Sequence, residues 1–136
     1  MNSDSASIRI LVADDNDFVR SAICTLMQSR QGWIVCAEVK TGREAVEAAR
    51  ELNPDVALVD VSMPDINGFQ VASRIYEESP NSKVVIVSGY DLRTVAAAAP
   101  QQGVWAYVMK SRLGSDLIPT VEAAIRSGHL STSVSA

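Results

Sequence analysis

Apolar residues recur along this chain in two alternating rhythms, short unbroken runs and longer stretches with helical spacing. Residues 8–13, IRILVA, read as a first strand. Phe18, Val19, Ala22, Ile23, Leu26 and Met27 then follow at helical spacing, with Asn16-Asp17 as the cap and Gln31-Gly32 as the close. Residues 33–39 predict a second strand. Thr41 opens a second helix, and Glu44 three positions on completes a capping box. Its inner stripe is Ala45, Ala48, Ala49 and Leu52, and Asn53-Pro54 stops it. Residues 56–59, VALV, do not alternate, so they predict a strand buried on both faces with Asp60 at its carboxyl end. Asn67-Gly68 signals a turn into a third helix over about 68–78, with Val71, Ala72, Ile75 and Tyr76 inward. Residues 83–87, KVVIV, form a fourth strand delivering Ser88-Gly89. Asp91 caps a fourth helix carrying Leu92, Val95, Ala96 and Ala99, which Pro100 ends early. Residues 105–109 form a fifth strand, followed by Lys110. Asp116 caps a last helix, with Pro119 in its first turn and Val121, Ala124 and Ile125 inward.

Strand and helix thus alternate five times. That order predicts an α/β fold: a five-stranded parallel, doubly wound sheet with helices on both faces and right-handed crossovers. Residues 7–128 form one domain, flanked by flexible tails or linker at 1–6 and 129–136, where periodicity is lost and His129 is an ordinary tail residue.

Composition narrows the function classes. At 136 residues and 47% hydrophobic, the chain can bury one core. Its net charge of −4 argues against nucleic-acid binding by this segment, which needs clustered cations. No apolar run approaches the length that spans a bilayer, and residues 1–7 lack the features of a signal peptide, so a cytoplasmic protein is expected. Cys24 and Cys36 read as small buried hydrophobes rather than a disulfide or metal pair.

In such sheets the site lies beyond the carboxyl ends of the strands. There the chain places Asp14 and Asp15 after strand one, Asp60 after strand three, Ser88 after strand four and Lys110 after strand five. Converging carboxylates repel unless a cation sits among them. Oxygen ligands without Cys or His suit a hard ion, and Mg²⁺ suits them best. A carboxylate can serve as nucleophile and form an aspartyl-phosphate, while Mg²⁺, an ammonium and a hydroxyl stabilise the transferred group. Asp60 is the expected nucleophile, standing alone on the middle strand.

These residues resemble the receiver domain of two-component response regulators, over about residues 7–128. The acidic pair matches Asp14-Asp15, the phosphoacceptor Asp60, the hydroxyl Ser88, the lysine Lys110, and the segment MPDING the family's turn after the acceptor. Tyr107, three before the lysine, matches the aromatic that reorients on activation. The resemblance implies a flavodoxin-like strand order 2-1-3-4-5 and Mg²⁺ held directly by Asp15, Asp60 and the backbone carbonyl of Ser62, with Asp14 acting through water. It also implies a histidine kinase or phosphotransfer protein as donor, and a changed surface of the fourth helix, fifth strand and fifth helix as output, with homodimer formation on phosphorylation among the outputs it allows. In that family the positions of Ser62 and Tyr90 control phosphate lifetime. Such a chain is a phosphoacceptor, not a turnover enzyme. Two departures stand out: Ser111 replaces the proline that often follows the lysine through a cis bond, and Pro100 shortens the fourth helix. The alternative is a small aspartyl-phosphate phosphatase resembling the haloacid dehalogenases, but these carry a second Asp two past the nucleophile, where this chain has Ser62. A nucleotide-binding module would need a glycine-rich phosphate loop that is missing. The stretch VEAAIRSGHLS resembles the end of receivers that precede a LuxR-type DNA-binding domain. The expectation is therefore a receiver cut from a transcription regulator, rather than a stand-alone one.

Overall fold

The computed structural model describes residues 7–90 and 103–134, with side chains described to residue 127. The element order is β1 (Ile8–Ala13), α1 (Asp17–Gln28), β2 (Trp33–Val39), α2 (Gly42–Leu52), β3 (Val56–Asp60), α3 (Gly68–Glu78), β4 (Lys83–Ser88), β5 (Val104–Met109), a 3-10 turn (Lys110–Arg112) and α4 (Leu113–Val134). The expected helix opened by Asp91 and ended by Pro100 lies outside the described residues, as does the side chain of His129. The α4 of this structure is therefore the last helix of the sequence pattern.

All strand pairs are parallel, in the order β2-β1-β3-β4-β5. This is the flavodoxin-like order expected. Because β1 and β3 lie inside the sheet, both their faces must be covered, and two separate cores form. One gathers Ile10, Val12, Leu58, Val85 and Val87 with Ile23, Cys24 and Met27 of α1 and Leu117, Val121 and Ala124 of α4. The other gathers Leu11, Ala13, Ala57, Val59 and Ile86 with Ala45 and Ala49 of α2 and Val71, Ala72 and Ile75 of α3. Val56 through Asp60 are all buried, as the unbroken apolar run required.

Two pairing irregularities adjust the faces. The β1–β2 register shifts between Ile10 and Leu11, so Val35 pairs with Ile10 and Ala37 with Leu11, leaving Cys36 extra. In the same way Val104 pairs with Val84 and Ala106 with Val85, leaving Trp105 extra. An extra residue reverses the alternation beyond it. Trp105 and Tyr107, two apart, consequently pack against opposite cores, so Trp105 serves packing.

Several expectations need correction. Phe18 is 83% exposed and Ala22 is exposed, because Phe18 stands nine residues, or two and a half turns, from buried Met27. Tyr76 is exposed at the rim of α3, beside Gly103, rather than inward. Helix α1 ends at Gln28, three residues before Gln31, where the N–H of Ser29 bonds back to the carbonyls of Thr25 and Leu26. Ala48, Leu52 and Cys36 are half-buried, whereas Val46 and Phe69 join the core. The last helix starts at Leu113, directly from the 3-10 turn, so Asp116 is inside its first turn and pairs with Arg112 at 3.0 Å instead of capping. Pro119 accordingly falls past the first turn. The backbone of α4 continues beyond residue 128, since each added residue costs little once a helix is under way.

The caps of α2 show how the fold ties its loops. Thr41 and Glu44 form the expected capping box. A second acceptor comes from 23 residues away: the Asp65 carboxylate takes the backbone N–H groups of Gly42 and Arg43 at 2.8 and 2.9 Å. A Cβ on Gly42 would meet the Ile66 side chain at 2.4 Å, so the loop between β3 and α3 sits directly on the start of α2. Burial alone would raise the Asp65 carboxyl, but the N–H groups of Arg43, Gly42 and Ile66 outweigh it and hold it down at about 2. Replacing Asp65 by Ala should therefore lower stability near neutral pH by ~1 kcal/mol, the usual scale for a lost helix cap. The stabilisation is complete above the carboxyl's ordinary 3.8 and disappears as pH falls through about 2. Urea unfolding of both proteins across that range should show the two curves converging in acid.

Candidate functional site at the carboxyl edge of the sheet

The register alone brings the site together. Ala13 pairs with Val59, so Asp14 and Asp60 emerge side by side. Asp60 pairs with Val87, so Ser88 follows one step further, and Ser88 pairs with Met109, so Lys110 follows next. Each strand towards β5 thus delivers its polar residue at the same edge. The pairing of β3 and β4 extends one residue past Asp60, where the Val61 N–H donates to the Val87 carbonyl at 3.0 Å.

Asp14 and Asp60 are buried, at 0% and 3% exposure, and Ser88 is fully buried, whereas Asp15 is exposed. Lys110 Nζ lies 3.2 Å from Asp14 Oδ2 and 3.3 Å from Asp60 Oδ2. One ammonium is shared by two carboxylates, so the pocket retains excess negative charge. Asp14 Oδ1 accepts the Asn16 N–H at 2.9 Å, and Asp60 Oδ1 accepts the Ser62 N–H at 3.2 Å. Asp14 Oδ2 is buried, and its one polar neighbour among the described residues is the Lys110 ammonium at ion-pair distance. Carboxylate oxygens of Asp14, Asp15 and Asp60 lie within 4.8 Å of one another. A buried oxygen with a free lone pair, in an oxygen-only cluster facing an exposed carboxylate, fits a hard divalent cation.

The turn after Asp60 is held close. The Gly68 N–H donates to the Val61 carbonyl at 2.9 Å, and a Cβ on Gly68 would meet the Asp60 carbonyl oxygen at 2.6 Å. Gly68 is therefore needed for close approach. The expected turn at Asn67-Gly68 is the start of α3 itself, with Asn67 as its N-cap and Gln70 completing a capping box. Ser88 Oγ accepts the Tyr90 N–H at 3.0 Å. Tyr107 is half-buried, with its ring centroid 6.2 Å from that of Phe69. The Lys110–Ser111 peptide is trans and opens the 3-10 turn. Ser62 and Tyr90 are both exposed beside the pocket. Sequence reasoning missed Arg20, whose guanidinium donates to the Asp14 backbone carbonyl at 2.9 Å. A polar residue within an amphipathic helix gives no signal of that contact.

The electrostatics follow from burial. Burial raises the Asp60 carboxyl, the Asp14 charge raises it further, and the Ser62 N–H and Lys110 offset this only in part. Burial would lower Lys110, but the fields of Asp60 and then Asp14 outweigh it and raise it. Ionised Asp60 thus opposes folding above the carboxyl's ordinary 3.8, and wild-type stability falls as pH rises through the raised folded value. In metal-free buffer near neutral pH, Asp60→Asn should stabilise the chain, an advantage that fades in acid. Lys110→Met should act oppositely, costing roughly 3 kcal/mol by leaving two buried carboxylates without their cation. Thermal unfolding of the three proteins against pH checks both signs.

Comparison with known proteins agrees with this geometry. The response regulator receiver domain family matches residues 10–122. The transcriptional regulatory protein LnrK of Bacillus subtilis is 33% identical over 121 residues, 89% of this chain and 54% of that protein. Response regulator GacA of Pseudomonas aeruginosa is 34% identical over 116 residues, 85% of this chain and 53% of GacA. The chain thus spans about half the length of these relatives. Among solved structures, the signal receiver domain of the response regulator NarL from Mycobacterium tuberculosis superposes with a TM-score of 0.80 at 28% identity, covering 88% of this chain and 97% of that one. With a matching profile across most of its length and the five-stranded order of the fold, the chain belongs to the response regulator receiver domain family of two-component systems.

Proposed function

We propose that residues 7–128 form a phosphoaccepting switch in which Asp60 takes a phosphoryl group from phosphohistidine on a partner histidine kinase or phosphotransfer protein. The observation that carries this reading is the pair of buried carboxylates, Asp14 and Asp60, sharing the single ammonium of Lys110 beside the exposed Asp15. An Asp60 carboxylate oxygen attacks phosphorus, the P–N bond breaks, and its electron pair returns to the donor imidazole. Asp14, Asp15, Asp60 and the Ser62 carbonyl are the residues that would hold Mg²⁺. When bound, that ion neutralises charge that develops on the transferred group. Lys110 supplies a fixed positive charge to the same group. Ser88 Oγ accepts from Tyr90, which leaves its hydroxyl hydrogen to donate.

Phosphorylation adds charge at one point of a two-state protein. A movement of Ser88 towards the phosphoryl group would give Tyr107 room to turn inward and alter the surface around β5. Because such a change shifts an existing equilibrium, the active state is sparsely populated without phosphate. Relatives bearing the name of transcriptional regulators support a role in transcription control through a LuxR-type DNA-binding domain joined to this unit in a longer protein. Homodimer formation on phosphorylation is one form the output can take. The cytoplasm, where such kinases present phosphohistidine, is the matching location.

Incubation with a small acyl phosphate and Mg²⁺, followed by mass measurement, should show one added phosphate. The adduct should vanish in Asp60→Asn and under chelation. Turnover of many donor molecules with no adduct, even on a subsecond quench, would move the assignment to a phosphatase. Exchanging Ser62 or Tyr90, which flank the pocket, should change the lifetime of the adduct. Identical dephosphorylation rates in both variants would contradict their control of water access.

A further inference from the structure

Arg20 occupies a position that a helix rarely gives to a free charge. It lies seven residues, about two turns, before Met27 and so on the buried stripe of α1. Its side chain is only 12% exposed. All three of its donor groups are engaged. Nη1 donates to the Asp14 backbone carbonyl at 2.9 Å, Nη2 to Asp17 Oδ1 at 2.7 Å, and Nε stands 3.4 Å from Glu38 Oε1 on β2.

The carbonyl it holds belongs to the peptide that joins Asp14 to Asp15. That unit is planar, so fixing its oxygen restricts the last torsion of Asp14 and the first of Asp15 together. The other side of Asp14 is fixed as well, since its N–H donates to the Val39 carbonyl at 3.1 Å. Asp14 is thereby held from β2 on one side and from α1 on the other. Asp15, exposed and part of the same carboxylate cluster, inherits its direction from that plane.

We propose that Arg20 is a positioning residue for the cation site, setting the Asp14–Asp15 peptide so that both carboxylates aim at one point. This rests on reading the acidic cluster as a divalent-cation site. The sign of the effect separates positioning from simple charge. As a charge alone, Arg20 repels a cation, and neutralising it would tighten binding. As a positioning group, its loss loosens the ligand pair and weakens binding.

The test measures Mg²⁺ affinity by calorimetry, and amide hydrogen exchange at Asp14 and Asn16 without metal, for wild type, Arg20→Lys and Arg20→Met. Arg50→Met is the control, an arginine paired with Glu47 and Glu78 on the far parts of α2 and α3. Arg20→Met should weaken Mg²⁺ about tenfold, the low end of what losing an outer partner of a metal ligand costs, and speed both amides. Arg20→Lys, which keeps the charge but loses the planar fork, should also weaken it. Wild-type affinity in Arg20→Lys with tighter binding in Arg20→Met would overturn the inference, leaving charge as the only role. Lower melting temperatures with unchanged affinity and exchange would overturn it in favour of mere stability. Wild-type protein giving no signal with Mg²⁺ would overturn the cation reading itself, and the inference with it.

Discussion

Two buried carboxylates that share one ammonium set the terms for the rest of this molecule. Asp14 and Asp60 are each lodged at the end of an inner strand, where solvation is poor, and Lys110 can neutralise only one of them. Such an arrangement is tolerated only if the surrounding framework is rigid enough to prevent the carboxylates from moving apart. The two cores supply that framework. Helices α1 and α4 close one face of the sheet and α2 and α3 close the other, so β1 and β3 cannot shift without disturbing both. Fold stability and site tension are therefore coupled through the same strands.

The loops continue this logic. Val61 extends the β3–β4 ladder past Asp60, Gly68 lets the start of α3 press against the Asp60 carbonyl, and Asp65 fastens the same loop onto α2. On the other strand, Asp14 is held through its N–H, its carbonyl and its carboxylate. Both positions are thus clamped through the backbone and through one carboxylate oxygen each, Oδ1, while Oδ2 of each faces Lys110.

The strand ends were legible in the sequence because a short run such as VALV before Asp60, bounded by turn signals, reads as a doubly covered strand, and parallel strands deliver their ends to one edge. Thr41 and Glu44 were legible because a capping box is local. What escaped was non-local or depended on angle. Asp65 caps a helix 23 residues away, which no short pattern encodes. Phe18 looked like part of an apolar stripe because its spacing from Val19 and Ala22 is permissive, yet it points away from Met27. Arg20 went unread because its contact is with a backbone carbonyl, that of Asp14, which no residue pattern marks. Pro119 fitted a first turn only because Asp116 was read as the cap, whereas the chain begins its helix at Leu113, immediately after the 3-10 turn.

The extra residue in β5 has an optical consequence. It turns Trp105 onto the core shared with Trp33, and these are the chain's two tryptophans. Trp33 pairs with Ile8 at the opening of β1, and Arg30 lies 5.3 Å over its ring. Trp105 stands five residues before Lys110, roughly 16 Å at the rise of a strand. Both indoles thus sit towards the edge of the sheet opposite the acidic pocket. A change in their emission on ligand addition would therefore report a rearrangement around β2 or β5 rather than contact with whatever binds in the pocket.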